Sequence, residues 1–252
     1  MATVKDVARR AGVSTATVSH VINDTRYVSE ELCARVYQAM EELGYQPNAI
    51  AQSLRRRKTQ NIGMIVPDIA YPFLAEVARG VEDKGFMLGY NAILCESNSD
   101  LEREATCIEV LRAKQVDGII FVAAGESSSH VQALVAQGMP VVLCDRELAG
   151  VAADIVIADN EGSGHQATAH LTRLGHHRIG CIAGPSDVTP SAERVTGYLH
   201  ALREAGLPVD EVLILKGDFQ YESGYQAARQ LLSMEDPPTA IFACNDLMAI
   251  GT

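Results

Sequence analysis

The chain has 252 residues, 47% of them apolar and 21% charged. That make-up excludes a disordered chain, a collagen-like repeat and a disulfide-dense mini-protein. The formal net charge of −11 argues, taken alone, against a nucleic-acid partner, but the charge is unevenly divided. Residues 1–60 hold nine Lys/Arg and six Asp/Glu (net +3), whereas residues 61–252 hold twelve and twenty-six (net −14). No apolar run approaches the roughly 20 residues that span a bilayer, so no membrane partner is expected. The first residues form no hydrophobic leader, which predicts a cytoplasmic protein. Six scattered cysteines lack any C-x-x-C pair and read as reduced, small hydrophobes. Neither a metal nor a cofactor is expected.

Residues 1–46 predict a small all-α domain. Thr3 caps a first helix whose apolar residues Val4, Val7, Ala8 and Ala11 follow helical spacing, and Gly12 stops it. Ser14 caps a second helix from Thr15 to about Asn23, with Val18, Val21 and Ile22 facing inward. A third begins at Ser29 with Glu30 and Glu31 in its first turn. Leu32, Val36, Ala39, Met40 and Leu43 form its core stripe, and Gly44 ends it. Two helices joined by a glycine-containing turn and braced by a third describe a helix-turn-helix. The outer face of the second helix carries Thr15, Ala16, Thr17, Ser19 and His20, with no acidic residue from Ser14 to Asn23. Thr and Ser suit phosphates or base edges, and His can donate to a guanine acceptor. A helical bundle with a merely polar surface fits the same pattern.

After Pro47, a helix-compatible stretch ends in four consecutive cations, Arg55–Lys58. Leu54 beside them could wedge between base steps in a minor groove. A solvated basic linker is the competing reading.

At this point a family resemblance emerges. V-K-D-V-A-R-R-A-G-V-S-x-A-T-V-S-H-V-I-N at residues 4–23 and Y-x-P-N-A-x-A-x-S-L at residues 45–54 resemble the LacI/GalR family of bacterial transcription regulators, nearest its ribose- and purine-repressor branch. The resemblance implies a helix-turn-helix DNA-binding domain over 1–46, a hinge helix and linker over 47–60, and an effector-binding and dimerisation domain over 61–252. It puts Thr15, Ala16 and His20 at base-reading positions, Ala16 only through apolar contact with a thymine methyl, and Leu54 at the minor-groove wedge. The candidate DNA-contacting set is Thr3, Ser14, Thr15, Ala16, Thr17, Ser19, His20, Arg26, Asn48, Ala51, Leu54 and Arg55.

From Asn61 onward, short apolar runs alternate with helical stretches. Strands are expected at Ile62–Val66, Asn91–Cys95, Gly118–Val122, Val141–Cys144, Ile155–Ala158, Ile179–Ala183, Val212–Leu215 and Ala240–Ala243. Helices are expected at Phe73–Leu88, Leu101–Lys114, Ser163–Leu174, Ala192–Ala205 and Ser223–Met234. Near-continuous Val/Ile/Leu strands with crossover helices imply parallel sheets covered on both faces. The resemblance implies an α/β, periplasmic-binding-protein-like body of two subdomains, about 61–159 and about 160–252, with a cleft between them and a first crossover near Asp159-Asn160. Relative to the family, the chain reads as truncated at its C-terminus.

Gly162-Ser-Gly164-His-Gln-Ala167 fits G-x-G-x-x-A, but the next strand ends Cys181-Ile-Ala-Gly-Pro185 without the carboxylate that a dinucleotide site needs. A nucleotide site is not expected there. His165 and His170 share a helix with no acidic or cysteine partner in the sequence pattern, and His176-His177 fall in a polar turn. No nucleophile elbow or Walker loop occurs, and Asp145 or Asp246 could act as a general base only with a partner the sequence does not name. No catalytic residue is assigned and an enzyme is not expected.

The resemblance carries ligand roles to Tyr71, Phe73, Asp145, Arg146, Arg194, Phe219 and Asn245. Tyr71 stands where the family has Asn. It implies a homodimer on pseudo-palindromic operator DNA whose affinity is set by a small-molecule effector, a sugar such as ribose or else a purine. The competing possibility is a cytosolic small-molecule-binding or enzymatic α/β protein with an incidental helical cap.

Overall fold

A computed structural model describes residues 2–23, 25–46, 58–123, 129–185 and 189–252. The chain divides into two compact units, Met1–Thr59 and Gln60–Thr252, each described by itself.

The first unit holds α1 (Val4–Ala11), α2 (Thr15–Asn23) and α3 (Glu30–Glu42). A reciprocal capping box starts α1: Thr3 Oγ1 accepts from the Asp6 N–H, and the Asp6 carboxylate accepts from the Thr3 N–H. Gly12, at φ +65°, takes the left-handed position that ends the helix. Arg35 of α3 donates to the Ala11 carbonyl at 2.6 Å, placing a cation on the negative end of α1. Ser14 Oγ accepts from the Thr17 N–H at 3.0 Å and opens α2. Val7, Ala8, Ala11, Val18, Val21, Val36 and Ala39 form the core, with Ile22, Met40 and Leu43 packed against it. Leu32 was expected in that stripe but lies outside it. Cys33 takes its place, because 33, 36, 40 and 43 keep the inward phase of α3.

The second unit has two all-parallel sheets. The first orders β2-β1-β3-β4-β5, from β1 (Asn61–Val66), β2 (Asn91–Glu96), β3 (Gly118–Phe121), β4 (Val141–Cys144) and β5 (Asp154–Val156). It carries α4 (Pro72–Met87), α5 (Leu101–Ala113) and α6 (Ser129–Ala136). The second orders β7-β6-β8, from β6 (Ile179–Ala183), β7 (Ile214–Lys216) and β8 (Ala240–Ala243). It carries α7 (Asn160–Arg173), α8 (Thr189–Glu204), α9 (Tyr221–Leu232) and α10 (Asp246–Gly251). Strand order reverses beside β1 in one sheet and beside β6 in the other. In such sheets, ligands bind beyond the strands' carboxyl ends at these reversals.

One core gathers Ile65, Leu111, Ile119, Phe121, Val131 and Leu143, and a second gathers Ile179, Ile182, Tyr198, Leu202, Leu231 and Met248. Tyr198 satisfies its buried hydroxyl by donating to the Ile179 carbonyl at 2.8 Å.

Three local expectations need correction. The run Val212–Leu215 is not one strand: Asp210 accepts from the Val212 N–H, turns Glu211–Leu213 into a 3₁₀ turn, and leaves the strand to Ile214–Lys216. Helix α7 begins at Asn160 rather than Ser163, because Asp159 caps it by accepting from the Gly162 N–H at 2.8 Å. Helix α8 likewise begins three residues early, at Thr189.

The first of these helix shifts puts the glycine motif inside α7, where its role is packing. A Cβ on Gly164 would lie 2.2 Å from the Arg194 carbonyl oxygen, and one on Gly197 would lie 2.0 Å from that of Glu161. The two glycines let the backbones of α7 and α8 nearly touch. Finally, His165 does have an acidic partner, from the next helix: its Nε2 lies 2.7 Å from Glu204 Oε2. His200 Nδ1 mirrors this at 2.9 Å from Glu161 Oε1.

Candidate functional site

In the first unit, Thr15 and Ala16 stand exposed at the start of α2, and Thr17, Ser19 and His20 are half-buried along it. Ala16 and His20 are one helical turn apart, as are Thr15 and Ser19, so the five form one surface. Several of these side chains also do structural work. Ser14 Oγ and Thr17 Oγ1 share a hydrogen bond of 2.9 Å, and Ser19 Oγ accepts from Asn23 Nδ2 at 3.4 Å. His20 Nδ1 lies 2.8 Å from Thr25 Oγ1, a contact with no signal in the sequence pattern. Thr3 is occupied by the capping box, and Arg26 is exposed. Asn48, Ala51, Leu54 and Arg55 lie outside the described residues.

In the second unit, the loop after β1 is pinned by Glu96 of β2, which accepts from the Ile69 N–H at 2.8 Å. That loop delivers Tyr71 and Phe73 to the start of α4, with Phe73 exposed. After β7, Asp218 accepts from the Gln220 N–H at 2.9 Å and its own N–H donates to Ser223 Oγ at 3.1 Å. The turn so held brings Gln220 Nε2 within 2.8 Å of the Tyr71 hydroxyl. The two sheets are therefore bridged by a side-chain bond at their carboxyl ends. Phe219 sits in this turn at φ +69°, a rare conformation for an aromatic residue. Its ring fills the space where a Cβ of Gly184 would lie, and its carbonyl accepts from Asn245 Nδ2 at 2.9 Å. Asn245 also caps α10 through Oδ1, which accepts from the Met248 N–H.

A polar network crosses the same region. Arg194 Nε donates to Asn160 Oδ1 at 3.0 Å, and Nη1 donates to the Cys244 carbonyl at 2.7 Å. Asn160, buried, donates in turn to Glu193 Oε2 at 3.0 Å. Asp145, after β4 and at φ +74°, lies within electrostatic reach of Arg146, Arg194 and Glu193. Burial pushes its carboxyl above the ordinary range, while Arg146 and Arg194 pull it back. Arg146 Nε is buried with no hydrogen-bond partner among the described residues. Tyr71 is raised too, first by burial and then by the Asp68 charge.

The structure thus brings Arg146 and Arg194 within electrostatic reach of Asp145, and gathers Tyr71 and Asn245 around the turn that carries Phe219. Phe73 stays beside Tyr71. Sequence reasoning missed Gln220, Glu193 and Thr25 as participants. Glu193 and Gln220 are chain neighbours of the expected Arg194 and Phe219, which was the only available signal.

Comparison with known proteins gives two matches that together span almost the whole chain. Residues 3–48 match the bacterial regulatory proteins of the lacI family. Residues 59–252 match the periplasmic binding proteins and sugar-binding domain of the LacI family. The chain belongs to the LacI family. Its relatives include the HTH-type transcriptional repressor PurR of Photobacterium profundum, 41% identical over 252 residues, covering all of this chain and 75% of the relative. The ribose operon repressor of Escherichia coli is also 41% identical, over 253 residues, covering all of this chain and 76% of the relative. Among solved structures, the lac repressor dimer bound to operator and the anti-inducer ONPF superposes with a TM-score of 0.85. It is 28% identical and covers 99% of this chain and 76% of that one. The cellobiose complex of the transcriptional regulator CelR is 36% identical with a TM-score of 0.68, covering all of this chain and 76% of that one.

This LacI-family chain accordingly joins a helix-turn-helix DNA-binding head to an α/β, periplasmic-binding-like effector body. Its relatives are transcriptional repressors, not enzymes. The idea of an α/β protein with an incidental helical cap falls, because the head itself matches the regulators. Among the described residues, no helix is long and apolar enough to cross a membrane.

Proposed function

We propose that this LacI-family protein is a cytoplasmic, homodimeric repressor. Its two heads read the half-sites of a pseudo-palindromic operator, and a small polyhydroxylated ligand in the body controls its DNA affinity. The head spans 1–46, the hinge and linker 47–60, and the body 61–252. Thr15, Ala16 and His20 read bases. Thr3, Ser14, Thr17, Ser19, Arg26, Asn48, Ala51 and Arg55 complete the DNA-contacting set, with Leu54 as the minor-groove wedge.

The observation that carries the ligand reading is the polar network around Arg194. Its guanidinium is already aimed by Asn160 and the Cys244 carbonyl, and beside it lie the unpartnered Nε of Arg146 and the desolvated carboxylate of Asp145. Two forked donors and one acceptor suit vicinal hydroxyls better than an apolar ligand. Tyr71, Phe73, Phe219 and Asn245 flank the site. The exposed Phe73 together with Phe219 favours a second reading, a purine stacked between aromatic faces.

Fluorescence-anisotropy titration against pseudo-palindromic DNA, at two salt concentrations and with ribose or hypoxanthine added, tests the proposal. The expected result is tight, salt-sensitive binding that ribose alters and hypoxanthine does not. Alteration by hypoxanthine alone selects the purine reading. Binding no tighter than to random DNA overturns the repressor assignment.

A further inference from the structure

His20 is held in place by a residue beyond its own helix. Its Nδ1 lies 2.8 Å from Thr25 Oγ1, and the Thr25 N–H reaches back to the His20 carbonyl at 3.4 Å. Thr25 itself is exposed, and His20 is half-buried on a helix whose Val18 and Val21 enter the core. An imidazole offers two nitrogens, and which one is a donor is set by the bond the other makes. With Nδ1 engaged inside the head, only Nε2 remains to meet a ligand.

We propose that Thr25 is a specificity-determining positioning residue: its hydroxyl fixes the His20 ring so that Nε2–H donates to a guanine in the major groove. This rests on the reading of His20 as a base reader. A hydroxyl that donates to Nδ1 stabilises the neutral tautomer with its proton on Nε2. A hydroxyl that instead accepted from a neutral Nδ1–H would leave Nε2 a bare acceptor and turn the preference toward the amino group of adenine, so the preferred base reports the polarity of the contact. Guanine shows O6 and N7, two acceptors, where adenine replaces O6 with an amino donor. A ring locked with a donor outward discriminates between them, whereas a ring free to turn can offer either nitrogen to either base. Thr25 touches no base in this scheme, so its effect appears at the base pair that His20 reads and nowhere else.

The test uses the full 252-residue chain. Pseudo-palindromic duplexes are first selected from a random library by the protein, and each half-site base pair is then replaced in turn. His20→Ala should lose its preference at one G·C pair. Thr25→Val should lose about five- to tenfold of the discrimination at that same pair, near the lower end of what one base contact supplies. Thr25→Ser should retain it. Combining Thr25→Val with His20→Ala should cost less than twofold beyond His20→Ala alone. Affinity for a random duplex and the salt slope should not move, and thermal unfolding confirms that each variant folds.

A Thr25→Val loss spread evenly over all positions, or equally large without His20, would show a purely structural role and overturn the inference. If His20→Ala changes no base preference, the base-reader reading fails first, visibly and independently of Thr25, and the inference falls with it.

Discussion

The two units use their functional residues in opposite ways. In the head, the candidate base-reading positions Thr15 and Ala16 stand on an exposed surface while the fold is held by Val7, Val18 and Val36 in the core and by Arg35 on the end of α1. In the body, three of the seven candidate ligand residues are also structural parts. Asn245 caps α10, Arg194 holds Asn160 and the Cys244 carbonyl, and Phe219 occupies the space over Gly184. Binding and stability should therefore separate at Thr15 and Ala16 in the head and stay coupled at Arg194, Phe219 and Asn245 in the body.

The strongest challenge to the body's coupling is Gly197→Leu. A Cβ there would sit 2.0 Å from the Glu161 carbonyl oxygen and 2.6 Å from the His165 nitrogen, both backbone atoms that cannot step aside. Helices α7 and α8 must part, at a cost of about 3 kcal/mol or more, the upper end for overpacking. Since α7 carries Asn160 and α8 carries Glu193 and Arg194, the ligand response should vanish together with the stability. Urea unfolding and ligand titration check both. A variant with normal stability would mean the helices have room to slide.

Next in size is a matched pair. Arg194→Ala leaves Asn160 Oδ1 and the Cys244 carbonyl without their donor, at about 1–3 kcal/mol for each group left unsatisfied, so the midpoint of urea unfolding should fall and the ligand response disappear. Thr15→Ala, on the head's exposed surface, should weaken operator binding while unfolding stays within about 0.5 kcal/mol of the parent. Equal stability losses in the two variants would erase the distinction between the units.

Asp145 sharpens the comparison through pH. Its folded pKa is raised above the unfolded value by burial. Its contribution to stability is therefore fully present below about pH 4 and is lost as pH rises through the folded pKa. At neutral pH the charged carboxylate costs stability. Asp145→Asn should then raise stability at pH 7 by about 1 kcal/mol or less, flatten the dependence between pH 4 and 7, and weaken ligand binding. A body residue whose loss stabilises the fold yet harms binding is one kept for function. Unfolding curves at pH 4 and 7 that shift by the same amount would exclude this role.

The head was legible in its helices and stops, because helix caps, apolar spacing and a glycine stop are local signals: Thr3, Gly12, Ser14 and Gly44 all lie where the pattern puts them, and Leu32 alone of the expected core stripe does not. The body was legible as alternating strands and helices, with errors where a side chain competed for the backbone. Asp159 and Asp210 each captured an N–H, moving a helix start and shortening a strand. The glycine motif misleads for a related reason. Closely packed helices need small residues at the spacing that phosphate loops also use, and only the partner helix, with Arg194 and Gly197, reveals which need is met. Gln220 and Thr25 were illegible because their partners, Tyr71 and His20, are set by the folded chain and not by any spacing.

The smallest expected effect falls on the bond between the two sheets. Tyr71→Phe keeps the ring and removes only the hydroxyl that meets Gln220 Nε2 at 2.8 Å. Both groups are partly solvated, so water replaces much of the lost bond, and the change in stability should stay below about 1 kcal/mol. The effect on ligand binding depends on whether the bond helps or hinders closure of the two sheets around the ligand. If the bond supports the ligand-bound geometry, Tyr71→Phe weakens binding a few-fold, and Gln220→Ala does the same with no further loss in the double variant. If it competes with the ligand for Gln220, both single variants bind more tightly. Isothermal titration of the three variants separates these outcomes by sign. Unchanged affinity in all three would make the Tyr71–Gln220 contact incidental to binding and leave the Arg194 network as the body's working part.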